Sequence, residues 1–240
     1  MEGVDLARAY GTTPDPDETA LATLPDESAR SAAKDIAAKK RLQEAFSRSR
    51  CQFLVVALSS DWLFPASESW KVAEVLLQLG KPVSFCELAS PHGHDGFLLE
   101  VDQLDRVLTS FLSEKDRMET ASYAVARTSK GLFDAEADKA VIASMVGKGS
   151  RVLDIGCGDG ALLDHLVRTR GCSGEGLDID LDAVIGTLGR GLSVLQGDAV
   201  EALSRLPDGA WDHVVLNQTL QAVQKPPELL REILRVGREA

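Results

Sequence analysis

The sequence predicts an α/β protein built from parallel strands, because short apolar runs alternate with stretches of helical periodicity. Phe53–Leu58 is continuously apolar, as expected of a strand covered on both faces. Polar residues follow the end of each predicted strand, which is where ligands bind in open parallel sheets. A glycine-rich turn at Gly156, Gly158 and Gly160 follows one of the strands. Two such groups of strands and helices predict two structural segments within the 240 residues.

Composition restricts the classes of function. The net charge is −11, and no basic run is longer than Lys39-Lys40-Arg41, so a nucleic-acid partner is disfavoured. No apolar run approaches the roughly 20 residues of a membrane span, and the N-terminal residues lack the apolar core of a signal peptide. We therefore expect a cytoplasmic protein that acts on small molecules without a membrane partner. The cysteines show no paired spacing, so no metal site is expected.

The first 50 residues predict little fixed structure before residue 36. A short helix is predicted at Val4–Tyr10. The acidic stretch Thr12–Asp35 contains few large apolar residues, which favours a mobile loop or loose helices. Helical spacing begins at Ile36 and predicts a helix that continues to Arg48. No candidate chemistry lies in this region.

The first segment with candidate chemistry alternates strand and helix. The predicted elements are a strand at Phe53–Leu58, a helix at Ser67–Leu79, a strand at Val83–Leu88 and a helix at Val101–Leu112. Asp61 follows the first strand and His94 follows the second. A carboxylate that orients an imidazole makes a general base, so this pair is a candidate catalytic site. A turn aspartate and a solvent-facing histidine are the structural alternative.

The two strand-end stretches, SSDWLFP and GHDGFL, resemble the C-terminal part of the homoserine O-acyltransferase family, which has an α/β-hydrolase fold. The resemblance covers about residues 3–113 and includes VDLARAYG and LQEAFSR. It implies that Asp61 and His94 belong to a Ser-Asp-His triad and that Asp95 helps to hold homoserine. It also implies acyl-CoA as co-substrate, with the acetyl or succinyl donor left open.

The sequence departs from that family in lacking the nucleophilic serine. No serine stands in a G-x-S-x-G elbow, and the nearest candidate, Ser173, belongs to the second segment. The order Ser, Asp, His of α/β-hydrolases predicts that the nucleophile precedes residue 1. Removing a triad nucleophile costs on the order of a million-fold in rate. This chain by itself is therefore expected to be inactive in acyl transfer.

A polar stretch at residues 114–133 predicts a linker, which gives segments of residues 1–113 and 134–240. In the second segment, Asp134 is expected to cap a helix that extends to Val146. The strands that follow are predicted around Val152–Ile155 and at Gly174–Asp180, Leu192–Gln196 and Asp212–Leu216, with helices after Gly160 and at Pro227–Val236.

Acidic residues mark the strand ends of this second segment. Asp154 precedes the glycine turn, where a carboxylate would repel a pyrophosphate but suits a cation such as S-adenosylmethionine (SAM). Asp178 lies about 20 residues after the turn, the usual place for a ribose-binding carboxylate, with Asp180 as second choice. Asp198 ends the next strand and is a candidate acceptor for an adenine amino group. Each of these residues taken alone is also a common turn residue.

The stretches RVLDIGCGDG, GDAVEAL and LNQTLQAVQKPPELLREILRVGREA resemble the class I SAM-dependent methyltransferase fold and, more narrowly, the MetW family. The resemblance covers about residues 148–240 and implies SAM contacts at Asp154, Gly156, Gly158, Asp178 and Asp198. That fold has seven strands, of which this sequence predicts four, so an uncovered sheet edge is expected. The predicted fold class is the C-terminal part of an α/β-hydrolase sheet followed by a partial Rossmann-like methyltransferase domain.

The two resemblances together predict part of a bifunctional methionine-biosynthesis protein that uses homoserine, acyl-CoA and SAM. Because SAM is made from methionine, the second segment could report product level to the first. The alternatives are a small-molecule methyltransferase with a non-catalytic hydrolase remnant, or a non-catalytic SAM-binding regulator. A nucleic-acid methyltransferase is disfavoured, because Pro226-Pro227 lacks the Asn/Asp-Pro-Pro-aromatic context. A homodimer is one option for the assembly.

Overall fold

The computed structural model describes residues 26–113, 135–217 and 219–238. The predicted helix at Val4–Tyr10, the predicted linker at residues 114–133 and the capping residue Asp134 lie outside the described residues. The boundaries of the two segments therefore stay predictions.

The first segment forms the predicted alternation of strands and helices. Its elements are α1 (Glu27–Ser47), β1 (Phe53–Leu58), α2 (Ala66–Gln78), β2 (Val83–Leu88), a 3-10 turn (Gly93–Asp95), α3 (Gly96–Leu99) and α4 (Val101–Leu112). Helix α1 begins nine residues before the predicted start at Ile36, because Asp26 caps it by accepting from the Ala29 N–H at 2.8 Å. An ion pair between Lys39 of α1 and Glu74 of α2 holds the two helices together, with 2.6 Å between Nζ and Oε1.

The second segment forms four strands separated by helices, within one or two residues of the predicted bounds. Its elements are α5 (Ala135–Met145), β3 (Arg151–Ile155), α6 (Ala161–Arg170), β4 (Ser173–Asp178), α7 (Leu181–Gly189), β5 (Ser193–Gln196), α8 (Ala199–Ser204), β6 (His213–Leu216), a 3-10 turn (Leu220–Ala222) and α9 (Pro226–Val236).

The six strands form one parallel sheet in the order β1-β2-β5-β4-β3-β6. The sequence predicts a sheet fragment in each segment, and the structure joins the two fragments through β2 and β5, where Phe85 pairs with Leu195. An additional side-chain bond crosses this junction, since the Val194 N–H donates to Ser84 Oγ at 3.1 Å. Strand β5 is thereby paired on both sides, with β2 and with β4. The fourth strand of the second segment, β6, lies at the end of the sheet and pairs with β3 alone among the described strands, as the uncovered edge predicted from the sequence requires.

The hydrophobic core also crosses the junction. One cluster of buried side chains contains Leu76 and Phe85 from the first segment together with Leu195 and Trp211 from the second. All four are at most 3% exposed. On the opposite face of the sheet, α4 packs against α7, and Arg106 forms an ion pair with Asp182. Both segments therefore share their packing as well as their sheet.

The parallel arrangement has a direct consequence for function. Because every strand runs in the same direction, the carboxyl ends of all six strands lie at one edge of the sheet. The candidate residues of both segments follow those ends, so the two candidate sites open at the same edge. In the described part of the chain, no helix is long and apolar enough to cross a membrane.

Candidate functional site

The structure brings Asp61 and His94 together at the ends of β1 and β2. The distance between His94 Nδ1 and Asp61 Oδ2 is 3.0 Å, which is a hydrogen bond. An ionised carboxylate can only accept, so Nδ1 carries the proton and Nε2 is left as the basic nitrogen. The catalytic pair predicted from the sequence therefore has the geometry that its proposed chemistry requires.

Local backbone contacts hold the Asp61 carboxylate in place. Its Oδ1 accepts from the N–H groups of Leu63 and Phe64 at 2.9 and 3.0 Å, while Oδ2 accepts from His94. The hydrogen bond to His94 and then that from the Phe64 N–H hold the pKa of Asp61 below its ordinary value. Asp61 is thus charged at neutral pH and can stabilise a protonated His94 ring.

Hydrogen bonds join the loop that contains His94 to the loop that contains Asp61. Gly93 has a left-handed backbone conformation, with φ of +61°, and its N–H donates to Ser60 Oγ at 2.8 Å. The neighbouring Ser59 and Ser90 are also joined, because the Ser90 N–H donates to Ser59 Oγ at 3.1 Å. The loop after β1, which contains Asp61, and the loop after β2, which contains His94, are consequently joined by hydrogen bonds.

Apolar side chains surround the imidazole. The ring of Phe64 lies 5.4 Å from that of His94, and the ring of Phe97 lies 5.7 Å away. These rings line a cavity of about 250 Å³ that also contains Asp61 and Leu88. An apolar cavity beside a histidine base can admit the body of a small substrate and reduce the access of water.

Asp95 is exposed in the 3-10 turn directly after His94. The sequence resemblance gives this residue a role in holding homoserine. Its position beside His94 is compatible with that role, which stays a prediction.

The second candidate site is built on the turn between β3 and α6. All three glycines of the turn have left-handed backbones, with φ of +69° at Gly156, +56° at Gly158 and +76° at Gly160. A Cβ at Gly156 would lie 2.3 Å from Thr219 Oγ1, whereas a Cβ at Gly158 would meet no atom within 4 Å. Gly156 therefore allows close packing, and Gly158 faces open space where a ligand can approach.

Asp178 is tied directly to the glycine turn. Its Oδ2 accepts from the Gly158 N–H at 2.8 Å, and its Oδ1 accepts from the Asp180 N–H at 3.0 Å. A carboxylate has about four lone-pair positions, so both oxygens can still accept from hydroxyl groups. The alternative choice, Asp180, caps α7 by accepting from the Ala183 N–H at 2.9 Å. This arrangement supports Asp178 as the ribose-binding candidate.

Asp154 is the unusual residue of this site. It is 2% exposed, and its Oδ2 has no hydrogen-bond partner among the described residues. Burial, and secondarily the negative charge of Asp178, raise the pKa of Asp154 to about 7. A buried carboxyl group with an unpaired oxygen is costly unless a donor or cation comes to it, which fits the positively charged ligand predicted from the sequence.

Asp198 is partly committed to another role. Its Oδ1 accepts from the N–H groups of Val200 and Glu201 at 3.0 and 3.1 Å and thereby caps α8. The preceding residue, Gly197, donates its N–H to the Asp178 carbonyl at 2.9 Å, so the ends of β4 and β5 lie side by side. The expected contact between Asp198 and adenine stays a prediction.

Sequence reasoning missed two residues that support the glycine turn. Thr187 Oγ1 donates to the Gly158 carbonyl at 3.0 Å, and Arg190 Nε donates to the Asp159 carbonyl at 2.6 Å. Both come from the end of α7, about 30 residues after the turn. Nothing in their local sequence indicates this contact, because it depends on where the end of α7 lies relative to the glycine turn.

Comparison with known proteins relates each segment to a family. Residues 136–240 match the family model described as "Methionine biosynthesis protein MetW". The "Bifunctional methionine biosynthesis protein MetXA/MetW" of Rhodopirellula baltica is 34% identical over 208 residues, which is 83% of this chain and 32% of that protein. The present chain thus spans about a third of this relative. A match of 208 residues is longer than either segment and must include parts of both.

The other relatives resemble the first segment. A "Homoserine O-acetyltransferase" of Leptospira biflexa is 46% identical over 77 residues, covering 32% of this chain and 20% of the relative. A "Homoserine O-succinyltransferase" of Litchfieldella anticariensis is 44% identical over 71 residues, covering 30% and 18%. Because both kinds match about equally, the similarity selects neither acyl donor.

Among solved structures, a SAM dependent methyltransferase from Archaeoglobus fulgidus aligns with 44% of this chain and 49% of its own, at 28% identity and a TM-score of 0.37. That TM-score is too low to carry an argument about function. The sequence comparisons relate the N-terminal part of the chain to homoserine O-acyltransferases and residues 136–240 to the MetW family model. The chain therefore joins a segment similar to homoserine O-acyltransferases to a segment that matches the MetW family.

Proposed function

We propose that this chain is part of a bifunctional methionine-biosynthesis protein. Its first segment supplies the histidine and aspartate for transfer of an acyl group from acyl-CoA to the hydroxyl of homoserine. Its second segment binds SAM. The observation that carries the acyl-transfer part is the hydrogen bond of 3.0 Å between His94 and Asp61 beside an apolar cavity.

In the proposed reaction, the nucleophile is a serine outside the present sequence. His94 Nε2 takes the proton of that serine as its oxygen attacks the thioester carbonyl of acyl-CoA, and the proton then leaves with the CoA thiol. His94 next takes the proton of the homoserine hydroxyl, whose oxygen attacks the acyl-enzyme. The proton returns to the serine when the ester product departs, so acid and base steps balance.

Asp61 contributes to both steps by holding the ring and by stabilising its protonated form. Two backbone N–H groups fix the carboxylate, so it need not reorganise when the imidazolium forms. Phe64 and Phe97 flank the ring. Preorganisation of this kind is a main source of the catalytic power of such triads.

A chimaera tests the acyl-transfer proposal. The 240 residues replace the matching C-terminal fifth of the Leptospira biflexa relative, so that the family's serine and the present His94 and Asp61 lie in one chain. We expect CoA thiol release that depends on homoserine. Because loss of the base removes proton transfer, His94→Ala should lower kcat by a factor on the order of 10⁴ to 10⁶. Asp61→Asn should lower it by a factor on the order of 10⁴.

The control variant is His92→Ala, which removes an exposed imidazole two residues away. Its kcat should stay within about 3-fold of the parent, since surface substitutions away from a site have small effects. A folded chimaera whose rate is unaffected by His94→Ala would contradict the proposed role of this residue.

The residues of the second site fit SAM. This ligand carries an ammonium and a sulfonium group, ribose hydroxyls and a transferable methyl group. Asp154 offers a buried carboxyl oxygen without a partner, which suits the cationic end. Asp178 offers acceptors for the ribose hydroxyls, and Gly158 leaves room for close approach. Binding at this site supports either regulation or methyl transfer.

Titration calorimetry on the 240-residue chain tests this part. We expect SAM to bind with one site per chain. Asp178→Asn should weaken binding at least about 10-fold, because a hydrogen-bonded acceptor to the ribose loses its charge. Asp208→Asn is the matched control, since Asp208 is an exposed carboxylate that pairs with Arg235. Absence of binding would contradict the proposal, and turnover of methyl-labelled SAM would favour the methyltransferase alternative.

A further inference from the structure

We propose that Gln196 couples SAM binding in the second segment to the position of the His94 loop in the first. In this role Gln196 is a positioning residue, because it touches neither reacting group. The inference rests on the proposed function, since it needs both a SAM site and a working His94–Asp61 pair. It is carried by one side chain that forms hydrogen bonds on both sides of the junction between the segments.

The amide of Gln196 links β2 to the loop that follows β4. Its Oε1 accepts from the Glu87 N–H at 2.9 Å, and its Nε2 donates to the Ile179 carbonyl at 3.4 Å. Ile179 directly follows Asp178, the candidate ribose acceptor. Glu87 is the penultimate residue of β2, the strand that leads into the His94 loop. The Gln196 amide therefore joins the end of β2 to the residue that follows Asp178.

Further hydrogen bonds continue this link to the catalytic pair. Beyond the end of β2, the Ser90 N–H donates to Ser59 Oγ, and the Gly93 N–H donates to Ser60 Oγ. These bonds join the loop of His94 to the loop of Asp61. Displacement of the C-terminal end of β2 would thus move His94 and Asp61 together, or change the distance between them.

Helix α7 provides a second connection across the same junction. At its C-terminal end, Thr187 donates to the carbonyl of Gly158 in the glycine turn. At its N-terminal end, Asp182 pairs with Arg106 of α4, the helix that follows the His94 turn and α3. One end of α7 therefore contacts the glycine turn, and its other end contacts the helix that follows the His94 turn and α3.

Ligand binding has a direct effect on this network. Ribose hydroxyls would donate to the remaining lone pairs of the Asp178 carboxylate, which already holds the N–H groups of Gly158 and Asp180. Added bonds of this kind order the loop that contains Ile179, and hence the Gln196 amide. Ordering at one site that is transmitted to another is a coupling free energy, and it acts equally in both directions.

Hydrogen exchange and NMR of the 240-residue chain test the proposal. The measured quantities are the exchange rates of the amides of Ser90, His92, Gly93 and His94 and the ring resonances of His94, with and without saturating SAM. In the parent chain, SAM should slow exchange in this loop at least about 5-fold and shift the His94 ring resonances. The rings of His165 and His213 serve as internal references.

Two substitutions separate coupling from a structural role. Gln196→Met keeps the length of the side chain but removes both hydrogen bonds. Gln196→Glu keeps the acceptor for the Glu87 N–H and removes the donor to Ile179. In both variants, SAM should still bind within about 5-fold of the parent affinity, but the ratio of exchange rates with and without SAM should approach one. Gln78→Met makes the same chemical change on α2, away from the junction, and should keep the parent ratio.

Three results overturn the proposal. SAM that binds by calorimetry without changing the His94 loop of the parent chain would exclude coupling and leave the proposed function standing. A parent-like SAM response in Gln196→Glu and Gln196→Met would exclude the assigned residue. Failure of SAM to bind the parent chain would overturn both this inference and the proposed SAM site, and calorimetry distinguishes that case from the first.

Discussion

The pKa values of two aspartates, Asp61 and Asp154, are shifted in opposite directions because their surroundings differ. Asp61 accepts a hydrogen bond from His94 and two from backbone N–H groups, which favour its charged form and lower its pKa. Burial of Asp154, and secondarily the charge of Asp178, disfavour its charged form and raise its pKa to about 7. One of its oxygens has no partner among the residues that the structure describes. The environment of Asp61 suits a carboxylate that orients a histidine base. The environment of Asp154 suits a carboxyl group that binds a cationic ligand.

Replacing Asp154 by Asn should stabilise the ligand-free chain at alkaline pH. The pKa of Asp154 is higher in the folded chain than its ordinary value of 3.8, so its contribution to stability is complete below about pH 4 and is lost as the pH rises through about 7. At pH 8 we expect Asp154→Asn to raise the free energy of unfolding by at least about 1 kcal/mol. Urea denaturation at pH 5 and pH 8 measures the difference.

The gain should shrink at pH 5, where the parent carboxyl group is largely neutral. The same variant should lose SAM affinity, because its amide cannot balance a cation. Asp105→Asn, at an exposed site, is the control and should change stability little at either pH. A variant that is equally or less stable than the parent at pH 8 would contradict the assigned burial cost.

At the scale of elements, β4 depends on a glycine where it approaches β3. Gly174 is paired with Val152, and a Cβ built at Gly174 would lie 1.8 Å from the Val152 carbonyl oxygen. The obstructing atom belongs to the backbone of a central strand and cannot move aside. Gly174 allows β4 to pair closely with β3, and this pairing positions Asp178 at the end of the same strand.

Gly174→Ala should destabilise the protein strongly. The clash with a neighbouring backbone leads us to expect a loss of about 3 kcal/mol or more in the free energy of unfolding, measured by urea denaturation. Gly189→Ala is the matched control, because a Cβ at Gly189, the last residue of α7, meets no atom within 4 Å. That control should be neutral or stabilising by up to about 1 kcal/mol. Equal effects of the two substitutions would contradict the close approach of β4 to β3.

At the scale of the whole molecule, the two segments share one sheet and one core cluster. The pairing of β2 with β5 covers an edge strand on each side, and buried side chains from both segments touch beneath it. Shared burial of this kind makes the unfolding of one part expose the other. The described residues should therefore behave as one cooperative unit.

We expect a single thermal transition that core substitutions in either segment shift. Leu76→Ala in α2 and Leu195→Ala in β5 each remove a fully buried side chain and should cost about 2–5 kcal/mol. Calorimetry should show one lowered transition in each variant, with no second peak. Two separate transitions, each sensitive to only one of the substitutions, would show that the segments fold independently.

Much of the fold could be predicted from the sequence because its signals are local. The apolar runs Phe53–Leu58 and Val83–Leu88 predict strands with the bounds that the structure shows. Strand β2 is buried as expected, but β1 lies at the edge of the sheet and is buried only at Ala57 and Leu58, so the prediction that it is covered on both faces is wrong. The turn after β3 has a left-handed backbone at Gly156, Gly158 and Gly160, and these glycines identify the turn in the sequence. The start of α1 was predicted too late, because its cap at Asp26 and its ion pairs to α2 outweigh a weak apolar pattern.

The candidate residues can also be predicted from the sequence, because each follows a predicted strand and the strand ends of a parallel sheet share one edge. The residues that support the glycine turn and link the two segments cannot be predicted in this way. Thr187 and Arg190 reach the glycine turn from the far end of a helix, and Gln196 bonds to Glu87 across more than 100 residues of chain.

The sequence by itself determined which segments become strands and helices, where the chain turns, and which polar groups stand at the strand ends, because each depends on neighbours within a few residues. Only the tertiary structure decided that β2 pairs with β5, that His94 meets Asp61 at hydrogen-bond distance, and that Asp154 Oδ2 is buried without a partner in the described part of the chain. Those facts depend on contacts between distant parts of the chain, and burial and pairing of that kind have no local signature.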